Sequence, residues 1–177
     1  MRKGIGIALI CLIVLILFIV IFTILFPRKY RDEINEFADK YNLDRYLVAS
    51  VINIESSYDV NALSKAGAMG LMQLLPSTAS EMASRLKIDF EKNDLYDVRT
   101  NIELGCYYLS YLMDMFDEKV VNVLSAYNWG LQNVKDWIAK GNVGKDGEIT
   151  NIPIAETQNY IKKFESNAFV YRNIYKY

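Results

Sequence analysis

The first apolar segment of the chain runs from Ile5 to Phe26 without a charged residue. As a helix rising about 1.5 Å per residue it would be about 33 Å long, which matches the hydrocarbon core of a bilayer. A cleaved signal peptide is the alternative, but its apolar region is usually shorter, and no small-residue cleavage motif precedes Pro27. We therefore predict an uncleaved single-pass anchor over residues 1–27, with residues 5–26 inside the membrane.

Basic residues flank this segment on both sides, so its orientation is open at this point. Arg2 and Lys3 precede it, and Arg28, Lys29 and Arg31 follow it. Positive charges favour the cytoplasmic side of a membrane helix, but here both flanks carry them. The pattern predicts a membrane segment without predicting which end faces the cytoplasm.

From residue 28 onward, apolar residues recur at helical spacing. Helices are predicted at about 30–40, 43–54, 76–86, 100–116 and 118–125, around 134–138, and from 153 onward. No segment alternates apolar and polar residues as a hairpin strand would. A segment of about 150 residues can bury a sufficient core without disulfides. The predicted fold class is all-α, with one transmembrane helix followed by a compact helical domain over residues 28–177.

Composition narrows the chemistry. The net charge of −1 leaves no basic field for nucleic acid. The chain has no histidine, which excludes Ser–His and Cys–His nucleophile pairs and histidine-containing metal sites. Cys11 and Cys106 lie in different segments and are not expected to pair, and Cys106 is typical of a small core residue. Any catalysis must therefore use Asp, Glu, Ser, Thr, Tyr or Lys.

Glu55 is the candidate acid. It follows the apolar run that ends at Ile54, where the negative end of the helix dipole and apolar neighbours would both raise its pKa. A raised pKa suits a general acid near neutral pH. The alternative is a glutamate that merely ends a helix at the surface. Gly67 and Gly70 bracket the next loop, where backbone could approach a ligand closely.

Four sequence blocks, taken together and in order, carry a resemblance. They are Glu55-Ser56, then Gly70-Leu71-Met72-Gln73-Leu74-Leu75-Pro76 with Ser64 ahead of it, then Ala126-Tyr127-Asn128, and finally Glu156-Thr157-x-x-Tyr160. This pattern resembles the lytic transglycosylases with a goose-type lysozyme-like catalytic domain, the soluble lytic murein transglycosylase type (glycoside hydrolase family 23-like). Two positions depart from it. Trp129 stands where the family often has alanine, and Leu75 where a second methionine is common, so we expect an altered groove shape.

The resemblance implies a groove for peptidoglycan glycan strands, with Glu55 as the acid and then the base of the cleavage. It implies substrate-binding roles for Ser56, Ser64, Gly70, Met72, Gln73, Tyr127, Asn128, Glu156 and Tyr160. Simpler roles stay open for four of them. Ser64 could be a turn residue and Gln73 a helix-entry cap. Tyr127 could be a core aromatic residue, and Glu156 an acid stabilised by a helix dipole. No metal or cofactor is implied.

Because peptidoglycan lies outside the bacterial plasma membrane, the resemblance also places the catalytic domain on the outer face. The product would be a 1,6-anhydro-N-acetylmuramic end. A muramidase that hydrolyses the same bond with water is one alternative, and a non-catalytic glycan-binding module is another. Nothing in the sequence predicts a protein partner.

Overall fold

The computed structural model describes residues 2–177, with side chains from Gly6 onward except that of Ala8. Met1, the first residue of the predicted anchor, lies outside the described residues. Over this range the helices are α1 (Arg2–Leu25), α2 (Arg31–Lys40), α3 (Arg45–Ser56), α4 (Pro76–Leu86), α5 (Val98–Met115), α6 (Val120–Trp129), α7 (Leu131–Ala139) and α8 (Ala155–Phe169). A short 3₁₀ helix covers Lys92–Tyr96, and a π-helical turn, Val170–Ile174, continues α8.

The predicted all-α class is confirmed. Within residues 2–177 no β-strand forms, and the loops carry only isolated bridges, such as Leu63 with Met69. Some predicted boundaries were wrong. The helix predicted at 118–125 runs from Val120 to Trp129. Helix α5 begins at Val98, not near residue 100, because the Asp97 carboxylate caps it by accepting a hydrogen bond from the Thr100 backbone N–H at 2.9 Å. The start was misplaced because the apolar periodicity becomes clear only at Ile102.

Helix α3 lies at the centre of the core. Its residues Val48, Val51 and Ile52 are fully buried, and the helix packs against α2, α8 and the π-helical turn. A helix that is apolar on several faces is stable only when surrounded in this way. The last turn of α3 contains Glu55, so the core holds the backbone of the candidate acid firmly.

The long N-terminal helix α1 has a different environment. Its apolar side chains are largely exposed from Ile7 to Leu25, for example Phe18 at 63% and Ile24 at 67%. By length and hydropathy together, no helix in the described part of the chain qualifies as a membrane span. The predicted single-pass anchor is thus not confirmed.

A compact loop connects α3 to α4, and a buried asparagine of α5 holds it. The Asn101 side chain accepts a hydrogen bond from the Met72 N–H at 2.8 Å and donates to the carbonyls of Met69 and Leu95 at 3.0 and 2.8 Å. Asn101 is 1% exposed, so two of these bonds replace the water that the loop backbone would otherwise need, and the third ties the loop to the 3₁₀ helix that contains Leu95. The loop is therefore a fixed part of the domain.

Candidate active site

Glu55 is half-buried, and its carboxylate accepts a hydrogen bond from the Tyr160 hydroxyl of α8 at 2.8 Å. Burial raises the pKa of Glu55 to about 7, the Tyr160 hydrogen bond opposes that rise, and the negative charge of Glu156 adds to it. The predicted direction of the shift is confirmed. A carboxyl group with a pKa near 7 can donate a proton at neutral pH and accept one afterwards.

Glu55 opens into a pocket of about 300 Å³ between the end of α3 and one face of α8. The lining residues are Ile54, Glu55, Asn128, Glu156, Asn159, Tyr160 and Lys163. Three larger surface cavities share no residue with it: two of about 410 Å³ each, both bordered by Asp44, and one of about 370 Å³ bordered by Asn122. They also hold no residue of the four sequence blocks, so we assign the chemistry to the pocket around Glu55.

A second pocket, of about 190 Å³, meets the first at Asn128, which lines both. It is lined by Gln73, Leu74, Leu75, Thr78, Tyr108, Tyr127, Asn128, Trp129 and Gly130. Together the two pockets form a groove that passes from α8 across α6 to the start of α4. The two departures noted from the sequence, Leu75 and Trp129, both border this second pocket.

Tyr127 and Gln73 border the groove, and their side chains also form hydrogen bonds within the domain. The Tyr127 hydroxyl donates to the Met72 carbonyl at 2.8 Å, and its ring lies 5.4 Å from that of Tyr108. The Gln73 amide nitrogen donates to the carbonyls of Ala62 and Gly70, both at 3.0 Å. Both residues therefore shape the groove, and the side-chain oxygen of Gln73 is the atom left to accept from a ligand.

Four of the residues predicted to bind substrate are used within the loop instead. The Ser56 hydroxyl donates to the Leu71 carbonyl at 2.8 Å, and the Ser64 hydroxyl accepts from the Ala68 N–H at 3.0 Å. The other two, Gly70 and Met72, are buried. None of the four lines the groove. The two hydroxyls hold the loop by hydrogen bonds, and Gly70 and Met72 are packed inside the domain.

Gly70 in particular does not serve a close approach of the backbone to a ligand. A Cβ at this position would lie 2.1 Å from the Leu95 carbonyl oxygen and 2.2 Å from Nδ2 of Asn101, and its φ of 74° already favours glycine. The sequence interpretation of Gly70 was wrong in this respect. The close approach is to Leu95 and Asn101, which makes the glycine a packing requirement.

The α8 wall holds the residues of the last block. Tyr160 reaches Glu55, the exposed Glu156 lines the same pocket, and the buried Thr157 donates to the Asn128 side-chain oxygen at 2.8 Å. That bond fixes the amide of Asn128, so its N–H₂ group is the part free to face the groove. Within residues 2–177, no protein acceptor engages this N–H₂ group.

The sequence interpretation missed Asn159 and Lys163 in this wall. Both follow Glu156 at helical spacing, by three and seven residues, so they share its face of α8. Extending the last sequence block along that face would have found them. Elsewhere in the described residues, no group of three or more cysteine or acidic side chains is arranged to hold a metal ion.

The sequence profile of the Transglycosylase SLT domain family matches residues 32–149. The chain belongs to this family. The soluble lytic murein transglycosylase of Escherichia coli K12 is 28% identical over 86% of this chain and 24% of its own length. The membrane-bound lytic murein transglycosylase E of Buchnera aphidicola is 37% identical over 50% of this chain and 42% of its own length.

A solved structure of the family superimposes closely. It is an inactive mutant of the lytic transglycosylase Slt from Pseudomonas aeruginosa, with glutamine in place of a glutamate, and it matches with a TM-score of 0.77 and 30% identity over 85% of this chain and 25% of its own. The chain thus spans about a quarter of the length of the first curated relatives it matches. The fold is that of the SLT domain.

Proposed function

We propose that the chain is a lytic transglycosylase that cleaves the β-1,4 bond between N-acetylmuramic acid and N-acetylglucosamine in peptidoglycan. The observation that carries this proposal is Glu55, a carboxyl group with a pKa near 7 that opens into a groove and is held by the Tyr160 hydroxyl. The names of the relatives support it. The Slt structure supports it further, because a glutamate-to-glutamine change is the mutation in that inactive enzyme.

In the first step, Glu55 in its protonated form gives its proton to the glycosidic oxygen, and the bond from C1 of the muramic sugar to that oxygen breaks. Burial raises the pKa of Glu55 to about 7, so roughly half of the molecules carry the proton at neutral pH and can donate it. The positive charge that develops at C1 would be stabilised by the acetamido group of the same sugar. Glu55 is left as a carboxylate, whose charge the Tyr160 hydroxyl stabilises by its hydrogen bond.

In the second step, the Glu55 carboxylate takes the proton from the C6 hydroxyl of the muramic sugar as that oxygen attacks C1. A new C1–O6 bond forms, giving a 1,6-anhydro end, and Glu55 regains its proton. No water is consumed. Both proton transfers pass through one carboxyl group, so the cycle closes without a metal or cofactor.

The other groove residues would hold the strand in register. The Asn128 N–H₂ group can donate to a carbonyl oxygen of an acetamido group, since Thr157 already occupies its side-chain oxygen. The Gln73 side-chain oxygen can accept from an amide or hydroxyl in the second pocket. For Ser56, Ser64, Gly70 and Met72, we infer an indirect role, in which they fix the loop that carries Gln73.

We propose further that α1 anchors the domain to the outer face of the plasma membrane. The support is that the sequence from Ile5 to Phe26 is apolar and uncharged, and that the apolar side chains of α1 are exposed. A large exposed apolar surface is typical of a contact with a membrane or another protein. The membrane-bound relative from Buchnera aphidicola is consistent with it. Against it stands the finding that no described helix qualifies as a span. Flotation of the full chain with lipid vesicles decides the matter, because an unanchored protein stays at the bottom of the gradient.

A muramidase would use the same groove and the same acid, with water in place of the C6 hydroxyl. Mass spectrometry of muropeptides released from purified peptidoglycan by the full chain separates the two reactions. We expect products one water lighter than hydrolytic ones. Reducing ends of full mass would establish a muramidase instead, and no release by a folded protein that still binds glycan would establish a binding module.

A further inference from the structure

The end of α1 is attached to the catalytic domain by side chains, not left as a free tether. Three successive backbone carbonyls each accept a hydrogen bond from the domain: Leu25 from Asn53 at 2.9 Å, Phe26 from Tyr175 at 2.9 Å, and Pro27 from Tyr171 at 2.8 Å. Carbonyls at the end of a helix normally bond to water or to a cap, because they have no partner within the helix. Here the domain supplies that cap.

Aromatic packing reinforces the attachment. The ring of Phe22 lies 6.0 Å from that of Tyr175, and the ring of Phe26 lies 6.4 Å from that of Tyr171, both nearly edge to face. The Arg28 guanidinium lies 4.6 Å from the centre of the Tyr175 ring. We call the residues that hold the end of α1, namely Asn53, Tyr171 and Tyr175, the anchor seam. Six side chains from three separate parts of the chain, residues 22–28, 53 and 171–175, thus meet at one junction, which leaves little freedom for a hinge.

The anchor seam is next to the pocket. Asn53 is followed directly by Ile54 and Glu55, both of which line the pocket. Asn53 also donates to the side chain of Asn167, whose amide in turn donates to the backbone carbonyl of Lys163 in the opposite wall. Two residues of helix advance about 3 Å, so Glu55 lies on the order of 10–15 Å from the end of α1.

From this junction we propose that the catalytic groove is held rigidly at the bilayer surface, and that its substrate is a glycan strand lying there, such as one still joined to a membrane lipid. This inference rests on the proposed activity and on the proposed anchor. A groove fixed at that height cannot reach strands farther from the membrane. The reaction that supplies its substrate would be the polymerisation of lipid-linked disaccharides, whose product is held at the membrane by its lipid end.

The test uses the full chain in vesicles that carry lipid-linked glycan strands of defined length. Mass spectrometry gives the length of the fragment that stays on the lipid. A rigid groove at the surface cuts close to the lipid end. The comparison variant combines Tyr171→Phe and Tyr175→Phe, which remove two of the seam hydrogen bonds, with a flexible Gly/Ser insertion of about 20 residues between Arg28 and Lys29, whose reach is about 25 Å. We expect its lipid-retained fragments to be about twofold longer on average.

The matched control carries the same insertion with both tyrosines intact, so that the anchor seam still holds α1. We expect it to cut where the unmodified chain cuts. The inference is overturned if all three proteins leave fragments of the same broad length distribution. Failure of the full chain to float with vesicles would overturn the inference by showing that the anchor is absent. Failure to cut strands released from their lipid would overturn it by showing that the activity is absent.

Discussion

Two regions around the groove look alike in sequence and differ in what their polar groups do. Ser56 at the end of α3 and Ser64 in the loop that follows use their hydroxyls on nearby backbone, and Gly70 in that loop is a packing position. In the wall formed by α6 and α8, Asn128 and Tyr160 present polar groups to the pocket. The sequence blocks of a family therefore contain two kinds of residue: those that stabilise the structure around the pocket and those that line the pocket itself.

The difference has a physical origin. A loop that turns sharply carries many backbone groups without helical partners, and it must find partners for them inside the protein. Asn101 alone satisfies two such groups, the Met72 N–H and the Met69 carbonyl. The wall is helical, so its backbone is already satisfied within the helices and its side chains are not needed for that purpose. Mutations in the loop should therefore change stability, and mutations in the wall should change catalysis.

The largest effect should come from Glu55→Gln. Without the transferable proton, kcat should fall by about 10³-fold or more. Folding should respond in the opposite sense. The folded protein binds the Glu55 proton more tightly than the unfolded chain, because burial raises its pKa from 4.5 to about 7. This contribution to stability is present below about pH 4.5 and is lost as pH rises to about 7, a change of about 3 kcal/mol.

Glutamine has no proton to lose, so the Glu55→Gln protein should be more stable than the parent at pH 8 by up to about 3 kcal/mol, with most of that gain absent at pH 4. Denaturant unfolding at the two pH values measures the difference, and muropeptide release measures the activity. Retained turnover would exclude Glu55 as the acid. A stability gain independent of pH would show that its pKa is not raised by burial.

The largest effect on stability should come from Gly70→Ala in the loop. The new methyl group would meet the Leu95 carbonyl and the Asn101 amide at about 2 Å, in addition to the strain of a positive φ. Gly67→Ala is the matched control, because Gly67 also has a positive φ, 86°, but has no atom within 4 Å of the added carbon. We expect about 1–2 kcal/mol of destabilisation for Gly67→Ala from strain alone.

For Gly70→Ala the clash should add about 2–3 kcal/mol to that strain. Urea unfolding of both variants gives the comparison. Equal losses would mean that the loop can shift away from Leu95 and Asn101, and that the loop is not a fixed part of the domain.

An intermediate effect on catalysis should come from Tyr160→Phe in the wall. The variant loses the hydroxyl that donates to Glu55, and with it the influence that lowers the pKa of Glu55. We expect kcat to fall about tenfold, since a hydrogen bond to a charged group contributes about 1.5–3 kcal/mol. The alkaline limb of the pH–rate profile should move to higher pH. A loss of rate with an unmoved limb would indicate a role in packing only.

The smallest effect should come from Glu156→Gln. Its negative charge raises the pKa of Glu55, so its removal should move the alkaline limb to lower pH, opposite to Tyr160→Phe. Because Glu156 is exposed, the change in kcat/KM should be only about two- to threefold. In the parent protein, added salt should weaken the influence of the Glu156 charge on the pKa of Glu55. The same pH series at low and high ionic strength checks both points. Limbs that move in the same direction for the two variants would contradict the electrostatic account.

The sequence allowed the helical class and the direction of the pKa shift of Glu55 to be predicted, because periodicity and the position of Glu55 at a helix end depend on local pattern. It did not allow the loop residues to be separated from the wall residues. Whether Met72 faces a ligand or the core depends on Gly105 and Asn101, about thirty residues away in the chain. Lys163 was missed for a different reason, since the last sequence block stops at Tyr160 although the face of α8 that it shares with Glu156 continues to Lys163.

The fixed amide of Asn128 has a consequence for recognition. Thr157 holds its oxygen, so the group turned to the groove can only donate hydrogen bonds. An acetylated amino sugar offers it a carbonyl oxygen, whereas a sugar that has lost its acetyl group offers an ammonium, which is itself a donor. Two donors facing each other repel, and the ammonium would also forfeit its hydration. Under the proposed function, removal of acetyl groups from a strand would thus protect it from cleavage at this site without blocking the groove.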